Sequence, residues 1–335
     1  MSGRVEPQKA QEKTKKAQRL LCFLWSLLCL FVFTFVAPAS AFADATALIL
    51  SSVPGDPERA ARFNKWTEGT QKVLVSKFGF AADRVIILAD KKATRDEVRK
   101  TFAALKQQLK PLDTFFLFFI GHGSFEEDYK FNLSGPDLTA TDYSQLLSSL
   151  GAGKTVIVNA TSASGGSIEK LAGPNRVVVT ATRSGTEVNE TFFYEHFLKA
   201  LEDSASDQDK DQKVSVWEAF KYATAGVDRF FKEEGRLASE HAQLSDNGAE
   251  KIGPAVQEVP VLARTLTFHV ERQIVSNDPK LQALLNEKRE IEQKIEALRL
   301  VKSAMPEAEY EKEMEGLLVQ LALKNQQIRE QEKKK

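Results

Sequence analysis

Cysteine is almost missing from this sequence. The 335-residue chain has two, Cys22 and Cys29, both inside one apolar run near the amino terminus, so the body that follows has none. Such a body carries no disulfide staple, even in a compartment that permits one, and offers no thiol nucleophile. Net charge is missing as well. The 46 Lys+Arg balance the 46 Asp+Glu, so bulk charge selects neither nucleic acid nor an anionic surface as a partner. Histidine is scarce, and His196, His241 and His269 show no metal-ligand spacing. That leaves His122 as the imidazole whose context invites a function.

The long apolar run is "LLCFLWSLLCLFVFTFV", residues 20–36. A basic leader with Arg4, Lys9, Lys13, Lys15, Lys16 and Arg19 precedes it, and "APASAFADA" follows with small-x-small cleavage sites. This is the order of an export signal, residues 1–43, with cleavage expected between Ala43 and Asp44. The alternative is an uncleaved anchor, since the run is close to the roughly 17 residues that a spanning helix needs. Either way the body is expected outside the cytoplasm, periplasmic or extracellular.

From Ala45 onward, strand and helix alternate. "TALILSS" reads as a strand, and "PERAARFNKWTEGTQKVLVSKFGF" sets Ala60, Phe63, Trp66, Val73 and Phe78 near one helical face. "RVIILAD" is a second strand, and Thr94 to Glu97 has capping-box spacing for a helix reaching about Leu109. "TFFLFFI" is a buried third strand that stops on Gly121-His122-Gly123. A short hairpin excursion, "YKFNLSGPDLT", a helix and the strands "KTVIVNA" and "RVVVTAT" complete a parallel sheet covered on both faces. The carboxyl ends of such a sheet are where sites form. Here they gather His122, the turn from Thr161 to Ser164, and Arg183 to Glu187.

The order of strand, "GHG", helix, strand, Ser-Gly turn, and a strand ending "TATRSGTEVNETFF" resembles the legumain and caspase clan of cysteine peptidases, in particular exported bacterial members of the legumain-type (C13) group, over residues 45–270. The resemblance implies a caspase-like α/β domain over 44–278 and a catalytic role for His122, with the Gly123 amide as an oxyanion donor. The clan's cysteine is absent. Aligning on Ser164-Gly165 puts Ser162 in its place; aligning on the upstream strand puts Thr161 there. A hydroxyl is a weak nucleophile without a positioned base, and the histidine of similar families faces the substrate carbonyl, so a serine or threonine here would be poorly activated. The expectation is a degenerate module that binds a peptide or protein. The alternative is a hydrolase using Ser162 or Thr161 with His122.

Glu187 is expected either to line a substrate pocket and hold a basic side chain, or to favour the dipole of a helix starting near Asn189. Arg59 either reaches the cleft or decorates a helix start. "DQDKDQKVSVWE", residues 207–218, follows the EF-hand calcium loop with Asp207, Asp209 and Asp211, the Lys213 carbonyl, Ser215 and Glu218 at ligand positions. Gln212 stands where that loop takes glycine, and must adopt positive φ or distort the turn. The alternatives are a structural Ca2+ site and an acidic connector. Asp246-Asn247-Gly248 reads as a turn, and "ARTLTFHV" as a late strand or edge segment.

Residues 279–335 change character. Leu281, Leu284, Lys288, Ile291, Ile295 and Leu298 alternate three and four apart, and beyond Met305-Pro306 the rhythm resumes with Tyr310, Met314, Leu317, Leu321 and Ile328. This predicts a helical hairpin of coiled-coil type that covers its apolar edge either by packing within the chain or by self-association.

Overall fold

The computed structural model of the chain describes residues 44–248, 253, 260–270, 278–300 and 305–332. The leader read at 1–43 lies outside them. The first half alternates β1 (Ala45–Ser51), α1 (Pro57–Ser76), β2 (Val85–Leu88), α2 (Arg95–Gln108) and β3 (Thr114–Ile120). A small antiparallel sheet of β4 (Gly123–Phe125), β5 (Tyr129–Phe131) and β6 (Leu138–Thr139) is inserted next, then α3 (Ala140–Ser148) and β7 (Lys154–Asn159). The rest of the domain is α4 (Ile168–Leu171), β8 (Arg176–Thr180), α5 (Phe193–Glu202), α6 (Val216–Glu233), β9 (Gln243–Asp246) and α7 (Val261–Thr265).

The main sheet has six strands in the order β2-β1-β3-β7-β8-β9. Five are parallel, and β9 runs antiparallel to β8 at the edge. Strand β3 sits inside the sheet and its side chains alternate between the two faces, as the pleat requires. Phe116, Phe118 and Ile120 join Phe63, Trp66, Phe197 and Phe220 from α1, α5 and α6. Phe115, Leu117 and Phe119 join Phe102, Tyr143 and Leu147 from α2 and α3. Each fully buried Phe contributes roughly 2 kcal/mol against exposure, so β3 is held from both sides and its carboxyl end is a rigid platform. The architecture is α/β with a mostly parallel, doubly covered sheet, in keeping with the caspase-like class expected.

Local signals set the helix starts. Asp56 caps α1 by accepting from the Arg59 amide at 2.8 Å, with Pro57 in the first turn, where a missing N–H costs nothing. Thr94 caps α2, and Thr139 with Asp142 forms a reciprocal capping box on α3.

Two segments differ from the sequence reading. The turn-rich stretch before Asn247 contains the edge strand β9, and residues 263–265, the start of the segment 263–270 expected as a late strand or edge segment, belong instead to α7. The Asp246 carboxylate explains the second, since it accepts from the Leu262 and Ala263 amides at 3.0 and 2.7 Å and so starts a helix. β9 meanwhile occupies the sheet edge that a late strand would need. Only Thr267 keeps a strand-like bridge, to Ser215.

The tail forms α8 (Pro279–Leu300) and α9 (Glu307–Glu332). Glu287 pairs with Lys324, and Asp278 accepts from Gln331 at 2.8 Å, a register that only antiparallel helices give. Leu281, Ile291, Ile295, Leu298 and Ile328 are buried. Among the described residues, no helix is long and apolar enough to cross a membrane.

Candidate functional site

The site is built where β3 ends. Gly121 has φ +112°, and a Cβ there would lie 2.1 Å from Ser52 Oγ, so the turn into His122 needs glycine for both reasons. Ser52, after β1, accepts from the His122 amide at 2.8 Å, and the His122 carbonyl accepts from the Asn132 amide at 3.2 Å. The backbone is thus pinned on both sides. The imidazole packs edge-on against Phe63, with ring centres 5.3 Å apart. Burial, then the nearby Arg59 and Arg62 guanidinium groups, push its pKa below the usual 6.5. At neutral pH the ring is neutral, able to accept a proton or donate one hydrogen bond. It lines an open cavity of about 750 Å³ with Pro54, Gly55, Arg59, Asn132 and Asp137. Arg59 therefore reaches the cleft while also pairing with Asp56 and Glu190.

The two hydroxyls after β7 have different surroundings. Thr161 is fully buried; its Oγ1 donates to Asn159 Oδ1 at 2.8 Å and lies 2.7 Å from the Tyr129 hydroxyl. That network sits beneath the turn, and a Cβ on Gly123 would lie 2.8 Å from Thr161 Oγ1 and 2.5 Å from the Tyr129 ring. Ser162, 5% exposed, instead lies against the His-Gly turn. Its hydroxyl donates to the Gly123 carbonyl at 2.8 Å and accepts from the Gly123 amide at 3.3 Å. The structure therefore brings Ser162 and Gly123 together, and in this state the serine oxygen occupies the amide assigned to an oxyanion.

Phe125 of β4 fills the space between the β7 and β8 loops. Its ring lies so close that a Cβ on Gly166 or Gly185 would meet it at 2.4 or 2.2 Å. Glu187 lies beside this packing and is nearly buried. Its Oε2 accepts from the Arg183 amide at 2.8 Å and the His241 amide at 3.2 Å, and its Oε1 lies 2.7 Å from His241 Nδ1. Its carbonyl accepts from the Ala163 amide at 2.8 Å. Glu187 thus clips the β8 loop to His241 and, through its backbone, to the Ser162 turn. It caps no helix: α5 begins at Phe193, four residues past Asn189, because buried Glu240 accepts from the Phe192 and Phe193 amides at 2.8 and 3.2 Å. Burial raises the Glu240 carboxyl from 4.5 to about 7.

In the loop 207–218, carboxylate oxygens of Asp207, Asp209 and Asp211 all lie within 4.8 Å of one another. Gln212 has φ +70° and Lys210 +60°, the left-handed turn for which glycine is better suited. Asp207 accepts from the Asp211 and Gln212 amides, and Asp211 from the Lys213 amide. Ser215 caps α6 in a reciprocal box with Glu218. Both Glu218 oxygens are occupied, Oε1 by the Gln208 and Asp209 amides and Oε2 by Ser215. Three hard carboxylates fit a hard divalent cation; Glu218, as placed, serves the loop's own amides. The exit of the loop pairs with residues 266–268 through the Val214 carbonyl and the Val216 amide.

Sequence reasoning missed Ser52, Asn159, Phe125, Tyr129 and Glu240. Asn159 carried a signal, being a polar side chain at the end of an apolar strand. The others owe their roles to contacts far apart in sequence.

No protein-family model matches the chain, and no curated protein matches it. Among solved structures the chain is similar to the crystal structure of protein GSU0716 from Geobacter sulfurreducens, a Northeast Structural Genomics target, with 14% identity and a TM-score of 0.44 over 68% of this chain and 99% of that one.

Proposed function

We propose that this chain is an exported relative of the legumain and caspase clan that has lost its catalytic nucleophile and acts by binding a peptide or protein at the carboxyl ends of β1 and β3. The observation that carries this reading is the state of Ser162. Its proton is given to the Gly123 carbonyl rather than to an imidazole, and its oxygen sits on the amide that would hold an oxyanion. The neutral His122 ring, Arg59 and Asp137 line an open cavity at the end of β3, which offers a peptide backbone both donors and acceptors. Export rests on the leader at 1–43. The aspartate loop is proposed to take Ca2+ as a structural ion, its three carboxylates being the observation in favour.

The test is incubation of the purified protein with a diverse peptide library, read for both cleavage and retention. The expected result is retention of a subset of peptides, weakened by His122→Ala, with no cleavage. Cleavage abolished by both Ser162→Ala and His122→Ala would replace this reading with the hydrolase. Absence of both retention and cleavage would leave no peptide-binding role.

A further inference from the structure

The inner face of α9 packs on α8, but α9 also has an outer apolar stripe. Leu318, Val319 and Leu323 are 48%, 52% and 56% exposed, and Tyr310, Met314, Leu318, Val319 and Ala322 line a shallow apolar groove there. An exposed run of this kind on a charged helix calls for a cover. Its ends carry opposite charge. Glu307, Glu309, Glu311, Glu313 and Glu315 outweigh Lys312 on the amino-terminal side. Towards the other end Arg329 is exposed, whereas Lys324 is turned to the inner face, where it pairs with Glu287.

Glu311 and Arg329 are both exposed, and neither enters an ion pair among the described residues. Eighteen positions separate them, about five turns at 3.6 residues each, so both stand on the azimuth of Leu318 and Ala322. The stripe is therefore self-complementary about its middle, with an acid at one end, apolar residues in the centre and a base at the other. We infer that the outer face of α9 is an interface for a second copy of this chain, paired antiparallel about a two-fold axis level with Gln320. Leu318 then meets Ala322 of the copy, and Glu311 meets its Arg329. A two-fold axis requires this reciprocity. The stripe is roughly 27 Å long and one helix wide, a few hundred Å² per copy against about 800 Å² in a standard interface. The dimer is accordingly weak and dependent on concentration.

Sedimentation velocity of the full purified chain, up to about 1 mM so that even millimolar affinity registers, is the test. The expected result is reversible dimerisation that Leu318→Lys abolishes and that Glu311→Arg or Arg329→Glu weakens roughly tenfold. The double variant Glu311→Arg/Arg329→Glu restores it, because acid and base have only changed places. All these positions are solvent-facing, so unchanged thermal melts verify folding. A chain monomeric throughout, or a dimer indifferent to Leu318→Lys, overturns the interface, and failure of the double variant to recover overturns the antiparallel register.

Discussion

The Ser162 hydroxyl donates to the Gly123 carbonyl at 2.8 Å while the Gly123 amide points back at the same oxygen from 3.3 Å. One backbone unit thus engages both faces of the hydroxyl. Thr161, its neighbour, is turned into the interior toward Asn159 and Tyr129. At the carboxyl end of β7, Ser162 is therefore the one of the two whose side chain hydrogen-bonds the Gly123 backbone, while Thr161 packs beneath the turn.

Ser162→Ala is expected to leave peptide hydrolysis at background and to cost about 1 kcal/mol of stability, the value of one partly buried hydrogen bond. Ser162→Cys is expected to introduce measurable acyl transfer, because a thiol is partly ionised near neutrality and a hydroxyl is not. Thr161→Cys should give none, its side chain being buried beneath the turn. Activity appearing with Thr161→Cys alone, in a peptidase assay of both variants, would place the reactive position one residue earlier.

Glu240 makes stability depend on pH in a stated direction. Its folded pKa, about 7, lies above the usual 4.5, so between those values the native state holds a proton that the unfolded chain has released. Its contribution is complete below 4.5 and is lost as pH rises toward 7, amounting to about 3 kcal/mol at 1.36 kcal/mol per pKa unit. Glu187 and His241 stand beside it, and Glu187 adds to the rise. Thermal melts from pH 5 to about 8 should fall more steeply for the wild type than for Glu240→Gln. Parallel curves would mean that Glu240 is ionised throughout.

Phe125 decides whether the gap between the β7 and β8 loops is open. Its ring is 36% exposed, so Phe125→Ala should cost only about 1–2 kcal/mol while freeing surface at Gly166 and Gly185. Peptide retention should rise in that variant. Gly185→Ala does the reverse, since its methyl meets the ring; overpacking of this kind costs about 1–3 kcal/mol. Equal retention by wild type and Phe125→Ala would separate this gap from the binding surface.

How much of this was legible in the sequence depended on the range of the forces involved. The apolar run of β3 and its stop on two glycines are local, and they located His122 at a strand's carboxyl end. The need for positive φ at residue 212 was local too, because it follows from one turn and one side chain. Edge strand β9 was hidden because its burial comes from the finished sheet, with a single large apolar side chain, Leu244, to announce it. Glu240 was equally silent. Its importance arises where the segment before β9 meets the start of α5, almost fifty residues earlier in the chain. Ser162 could be set beside Thr161 as a candidate, but only the packing of Tyr129 and Asn159 beneath the turn separates them.

In the aspartate loop, charge and conformation act in opposite directions. Carboxylates of Asp207, Asp209 and Asp211 within 4.8 Å of one another repel, and a divalent cation that binds the folded state would relieve that repulsion and raise the melting temperature. Gln212 at φ +70° opposes this, since a side chain in the left-handed region costs roughly 1–2 kcal/mol. Weak stabilisation is expected, at millimolar rather than micromolar calcium on the order set by ligand count and rigidity. Gln212→Gly should strengthen it. Glu218→Ala is a poor probe because that carboxylate caps α6 and holds the Gln208 amide whether or not an ion is bound. Asp209→Ala is the sharper one, because the Asp211 amide that its carboxylate accepts from at 3.2 Å is shared with Asp207 and keeps a partner without it. It should abolish the calcium-dependent shift while leaving the calcium-free melt nearly unchanged. Calorimetry showing neither binding heat nor a thermal shift at millimolar calcium would make the loop an acidic connector.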